Sequence, residues 1–143
     1  MNGVDFLNFA KPLYDSTDEA ARRTSVSRSY YASYHQMKEI LTSIGIHVSR
    51  EPKEHQRLVR YLKEGGKTVG IKDDGGWLGE LLEQLREARN DADYDLSDRK
   101  FNARTCKFSW DMADKICRTI NSNLDKYRKS FEGYAKKINE LHP

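Results

Sequence analysis

The chain has 143 residues and a mass of 16.6 kDa, the size of one domain with little room for a second core. Hydrophobic residues make up 37% and charged residues 33%, with only 9 Gly and 3 Pro. That is too apolar for a disordered tail and too poor in turn residues for a many-stranded β fold. Lys plus Arg exceeds Asp plus Glu by 25 to 22, a mildly basic balance that permits a nucleic-acid partner without requiring one.

The chain reads as helices throughout. A short first element is expected over Val4–Tyr14. Ser16, Thr17 and Asp18 then offer an N-cap, and a long helix from Glu19 ends at Gly45, a suitable residue for the left-handed turn after a helix. Its apolar stripe is Val26, Tyr30, Tyr34, Met37, Leu41 and Ile44. Pro52 suits the first turn of a second helix to about Glu64, carrying Leu58, Val59 and Leu62. Residues Gly65 to Gly76 hold five of the nine glycines and read as a loop. A third helix starts near Trp77, presents Leu78, Leu81, Leu82 and Leu85, and fades at Asp95.

Ser97 or Asp98 is expected to cap the last helical region, where Cys106, Trp110, Ala113, Cys117, Ile120, Leu124, Tyr127, Phe131 and Ile138 recur at helical spacing. Unbroken, it would be about 60 Å long. A break is therefore expected near Asn121-Ser122-Asn123 or at Gly133, or else its end, from about residue 122, projects into a partner chain. The expected fold is all-α, a single domain over residues 1–143 forming an antiparallel bundle of four to five helices.

No apolar run approaches the roughly 20 residues of a membrane span, and residues 1–11 lack the basic-then-apolar order of a secretory signal. A cytoplasmic setting with no membrane contact is the expectation. Cys106 and Cys117 on one helix would sit about 16 Å apart, too far for a disulfide. They read as small buried apolar residues of a reducing compartment.

Several tempting motifs break. Gly66-Lys67-Thr68 resembles the end of a phosphate-binding loop, but Tyr61 stands where its first glycine belongs. Asp91, Asp93 and Asp95 imitate a calcium loop, yet Leu96 replaces its glycine and Asn102 its bidentate glutamate. None of His35, His47, His55 and His142 follows a Glu by three residues, as a di-iron bundle needs, and no His/Cys set has zinc spacing. No metal ligand and no cofactor is expected.

One charge stands out. Stepping 100° per residue from Leu78, Leu82 falls at about 40°, Leu85 at about 340°, Ala92 at about 320° and Arg89 at about 20°, inside the apolar stripe. A guanidinium keeps its proton and is costly to bury without hydrogen bonds and a counter-charge. Asp93, one turn later, is the nearest partner. Alternatively Arg89 buries only its stem and reaches solvent. Tyr94 lies about 140° from Arg89 on an ideal helix, so the two can meet only where the helix ends or across a dimer axis.

A second stripe, Arg28, Tyr31 and His35, has spacings of three and four. A histidine is suited to proton transfer near neutral pH, and a guanidinium beside it to holding a phosphate. Alternatively this is a solvated face with Tyr31 at its edge. Arg57, Arg60, Lys63 and Lys67 could extend a phosphate surface, though acidic residues are interspersed.

Ser27-Arg28-Ser29-Tyr30-Tyr31-Ala32-Ser33-Tyr34-His35 resembles the early-helix signature of HEPN domains, in the branch with a Ser-Arg-x-Tyr-Tyr-Ala-x-aromatic-His pattern. His55 in Glu54-His55-Gln56-Arg57-Leu58-Val59 matches the histidine that opens that branch's second helix. Leu85-Arg86-Glu87-Ala88-Arg89-Asn90-Asp91-Ala92-Asp93-Tyr94 is similar to its Arg-x-x-Ala-Asp-Tyr stretch. The likeness covers roughly residues 20 to 125.

The resemblance implies an all-helical homodimer acting on RNA. Many such proteins are metal-independent endoribonucleases, often toxins or phage-defence effectors, sometimes paired with a nucleotidyltransferase or an antitoxin. Their motif is Arg, four to six residues, then His. Arg89-Asn90 matches its opening, and Tyr94 occupies the histidine position. The implied catalytic set is Arg89 with Tyr94 or His35, and the implied binding set is Arg28, Tyr31, His55, Asn90 and Asp93. Tyrosine, with an ordinary pKa near 10, is a poor base at pH 7 unless cations surround it, so His35 or His55 could serve instead. A degenerate module that binds RNA, a nucleotide or a nucleotidyltransferase partner is the alternative. A scaffold that only assembles through its last helix is a third reading.

Overall fold

The computed structural model describes residues 2–69, 74–95 and 101–141. These residues fold into an all-helical bundle. Six α-helices run in the order α1 (Gly3–Ala10), α2 (Glu19–Ser43), α3 (Glu54–Lys63), α4 (Asp74–Tyr94), α5 (Ala103–Ser122) and α6 (Leu124–Lys137). Short 3-10 turns at Lys11–Leu13 and Gly65–Thr68 follow α1 and α3. The count reaches six because α1 is a helix of its own and the last helical region divides in two. No helix among the described residues is long and apolar enough to cross a membrane.

The helix ends follow local chemistry. Asp18 caps α2 by accepting from the Ala20 amide at 3.0 Å. At the other end Gly45 has φ of +93°, while the Ile46 and Gly45 amides donate back to Leu41 and Thr42. This is the paired closure of a Schellman turn. Asn102 caps α5 through the Thr105 amide at 2.9 Å. The caps expected for that region, Ser97 and Asp98, lie outside the described residues. The expected break falls at Asn123, whose side-chain amide donates to the Thr119 carbonyl while its backbone leaves helical geometry. Gly133 stays inside α6.

Helix α2 is the central element. Its small buried residues Ser25, Ser29, Ala32 and Ser33 let neighbours approach closely. A Cβ on Gly3 would stand 2.6 Å from the Ala32 carbonyl oxygen, so α1 can dock there only with glycine at that position. Ser25 donates to the Ala10 carbonyl, and Gln36 donates to Asn121 at 2.6 Å, tying α2 to α1 and to α5. The Trp110 indole donates to the Leu7 carbonyl.

Leu78, Leu81, Leu82 and Leu85 of α4 are buried as their spacing predicts. α6 packs back onto the bundle rather than projecting from it: Tyr127, Phe131 and Ala135 are fully buried, and Phe131 meets Tyr61 edge-on at 5.7 Å. Cys106 and Cys117 are free and buried on α5. Burial pushes their thiols up to about 11 and about 12, so both stay protonated and unreactive at neutral pH.

Two devices fix the C-terminal end of α4 and the segment before α3. Arg23 of α2 donates to the carbonyls of Asp91, Ala92 and Asp95 at 2.9–3.1 Å and lies over the Phe101 ring at 4.4 Å. It thereby satisfies the last carbonyls of α4, which a helix end leaves without intrahelical donors. The segment before α3 is held by Tyr34, which donates to the Ser49 carbonyl, and by Arg57, which donates to His47, Glu54 and Glu140.

Candidate functional site

A cleft of about 570 Å³ opens between α2, the start of α3 and the C-terminal half of α4. Its lining includes Tyr30, Tyr31, Tyr34 and His35 from α2, His55 from α3, and Arg86, Arg89 and Tyr94 from α4. The volume lies in the range typical of small-ligand sites. Lys38, Arg50, Arg86 and Arg89 make it basic, and Glu51 is the single lining carboxylate among the described residues. Glu51 is itself engaged by Lys53 at 2.8 Å. Lys38, Arg50 and Arg86 have no ion pair among the described residues, so their charge faces the cleft uncompensated.

Arg89 is the centre. Its side chain is 20% exposed, neither sealed in the core nor loose in solvent. Asp93 stands 3.0 Å from Nε, the counter-charge expected one turn on. One terminal nitrogen donates to Tyr31 Oη at 2.8 Å and the other to Asn90 Oδ1 at 3.1 Å. The guanidinium carbon lies 5.3–5.9 Å from the ring centres of Tyr30, Tyr31 and Tyr94, within the range of cation–π attraction. Arg89 and Tyr94 therefore meet within one chain. They do so at the C-terminal end of α4, whose last residue is Tyr94.

Around this centre the sequence-predicted residues divide. Tyr31 contacts Arg89 through its hydroxyl, and its ring centre lies 6.3 Å from that of His35. His35 stacks on Phe6 of α1 at 4.8 Å. Partial burial, with Lys38 next to it, holds its imidazole below the ordinary 6.5, so it is a neutral base at pH 7. His55 is buried, with Nδ1 3.2 Å from Tyr30 Oη. Burial and the nearby Arg86 charge lower it to about 4, against a smaller opposing pull from Glu83. Burial raises the Tyr30 phenol to about 12 although Arg86 and Arg89 pull it down. Tyr30 and His55 thus form a neutral hydrogen-bonded pair at the cleft wall.

Arg28 is the exception: it is exposed and does not line the cleft, so the Arg28–Tyr31–His35 stripe contributes two of its three members. Most of the basic residues of α3 and the turn after it are also accounted for elsewhere. Arg57 pairs with Glu54 and Glu140, Lys63 with Glu83 and Lys67 with Glu64. Asp91 and Asp93 belong to the last turn of α4, a helical backbone rather than a calcium loop. Lys67 and Thr68 lie in a 3-10 turn after a helix.

The cleft also uses residues that pattern alone did not single out. Arg86 and Lys38 stand one turn from Arg89 and His35, a neighbourhood that spacing could have revealed. Tyr30 and Tyr34 read as core stripe residues, and both serve core and cleft at once. Arg50 lies in an irregular segment and carries no periodic signal. Comparison with models of protein families, with curated proteins and with solved structures gives no match.

Proposed function

We propose that this chain is a HEPN-type protein that acts on RNA as a metal-independent endoribonuclease, through the cleft centred on Arg89. One observation carries the reading: Arg89, Tyr31, His35 and His55, drawn from three helices, line one basic cleft together with Tyr94. In the proposed reaction His35 takes the proton of an RNA 2′-hydroxyl. The 2′-oxygen attacks the adjacent phosphorus, and Arg89 stabilises the charge of the phosphorane. The bond to the 5′-oxygen breaks, that oxygen takes a proton from solvent, and a 2′,3′-cyclic phosphate remains. Tyr31 orients the guanidinium, and Arg86, Arg50 and Lys38 hold flanking phosphates.

The resemblance adds to this proposal a cytoplasmic homodimer of the toxin or phage-defence kind with a nucleotidyltransferase or antitoxin partner. Incubating the purified protein with total RNA in EDTA tests the chemistry. Cleavage products ending in cyclic phosphate are expected. A second reading, a module that binds RNA or a nucleotide without cleaving it, is favoured by the ion pair that already occupies Arg89. Tight binding with intact RNA would select it.

A further inference from the structure

Tyr94 is 75% exposed, more than Val4, Phe9, Trp77 or Phe108, the other exposed large hydrophobic side chains among the described residues. Yet it stands at a site rather than on bare surface, lining the cleft with its ring centre 5.8 Å from the Arg89 guanidinium carbon. The other rings of the cleft are already packed. Tyr30 meets Tyr31 at 5.3 Å and Tyr34 at 6.2 Å, His35 lies on Phe6, and Tyr30 and Tyr34 spend their hydroxyls on His55 and Ser49. Tyr94 has no ring–ring contact and no hydrogen bond among the described residues. Among the described residues it is an aromatic face left open beside a cationic cleft.

An aromatic face beside guanidinium groups suits a ligand with a flat π-system and a phosphate one linkage away. A nucleotide has that shape. In a duplex each base has neighbours stacked on both faces, so only an unpaired base can offer a face to a protein ring. We infer that Tyr94 is the stacking platform for one unpaired base of an RNA strand whose adjacent phosphate sits on Arg89 and Arg86. This inference rests on the RNA reading above and gives Tyr94 a binding role through its ring, not a proton-transfer role through its hydroxyl. Because every base has a π-face, the platform is tolerant of sequence.

The test uses a fluorescently labelled 2′-O-methyl tetranucleotide, which blocks attack by the 2′-oxygen, and its fully abasic counterpart, with affinities read by anisotropy. Tyr94→Ala should weaken binding of the base-bearing strand about 10-fold, as loss of one base–aromatic stack predicts, and leave the abasic strand unaffected. Tyr94→Phe and Tyr94→Trp should keep the affinity. Equal loss for both strands, no loss for either, or a Tyr94→Phe defect as deep as that of Tyr94→Ala would overturn the inference. A lower oligomeric mass of Tyr94→Ala by light scattering would do so too, since the ring would then be covered by a second copy. If Arg89→Ala binds both strands as the native protein does, the cleft reading itself fails, an outcome distinct from the others.

Discussion

On the proposed endoribonuclease reading, replacing Arg89 with alanine should lower RNA cleavage by about 100-fold or more, the usual cost of removing one preorganised group that stabilises transition-state charge. The fold should survive the change. Arg89 is partly exposed, and the carboxylate it leaves behind, Asp93, is at the surface and regains water. Arg89→Lys should recover only a small part of the activity. An ammonium keeps the charge but lacks the planar fork that reaches Tyr31 and Asn90 from two nitrogens at once. Parallel denaturation curves separate the two effects: lost cleavage with an unchanged midpoint is the expected pairing. Full activity in Arg89→Ala would remove the arginine from the chemistry.

The second large effect is on stability and comes from His55. Its folded-state pKa of about 4 lies below the ordinary 6.5 because the ring is buried next to Arg86. Between those values the unfolded chain binds a proton that the folded chain refuses, so stability falls as pH falls from 6.5 towards 4. From pH 7 to pH 5 the loss is about 2 kcal/mol, at 1.36 kcal/mol for each pH unit below 6.5. His35, also shifted down, adds in the same direction. The carboxylates of Glu54 and Glu64, held below their ordinary value, enter only at more acid pH. His55→Asn keeps a polar partner for Tyr30 and cannot titrate. Urea denaturation across pH 5–7 should therefore show a flatter profile for the variant. Identical slopes would mean that His55 binds its proton equally in the folded and unfolded chains.

The parts of the site legible in sequence are those set by spacing within one helix. Arg89 showed itself as a charge inside a leucine stripe, and its i+4 partner Asp93 is where the helix repeat puts it. Tyr31 and His35 share a face of α2 for the same reason. The Gly45 turn and the break at Asn123 were legible because both residue types tolerate backbone that leaves the helix.

Contacts across the bundle were not legible. The bond from Arg89 to Tyr31 joins residues 58 apart in sequence, and the Arg23 latch on the end of α4 joins residues about 70 apart. Neither leaves a periodic mark. The meeting of Arg89 with Tyr94 was legible only as an alternative, since it depends on where α4 stops. Arg28 shows the converse failure. Its spacing matches the stripe, but that end of the face points to solvent and not into the cleft.

The central claim is that RNA lies in the Arg89 cleft, and photocrosslinking tests it most directly. A single-stranded RNA carrying 4-thiouridine is irradiated on the protein and the crosslinked peptides are mapped by mass spectrometry. Crosslinks on the segments 30–38 and 86–94, lost on addition of excess unlabelled RNA, are the predicted result. Crosslinks confined to α5 and α6, with both cleft segments unmarked, would contradict it.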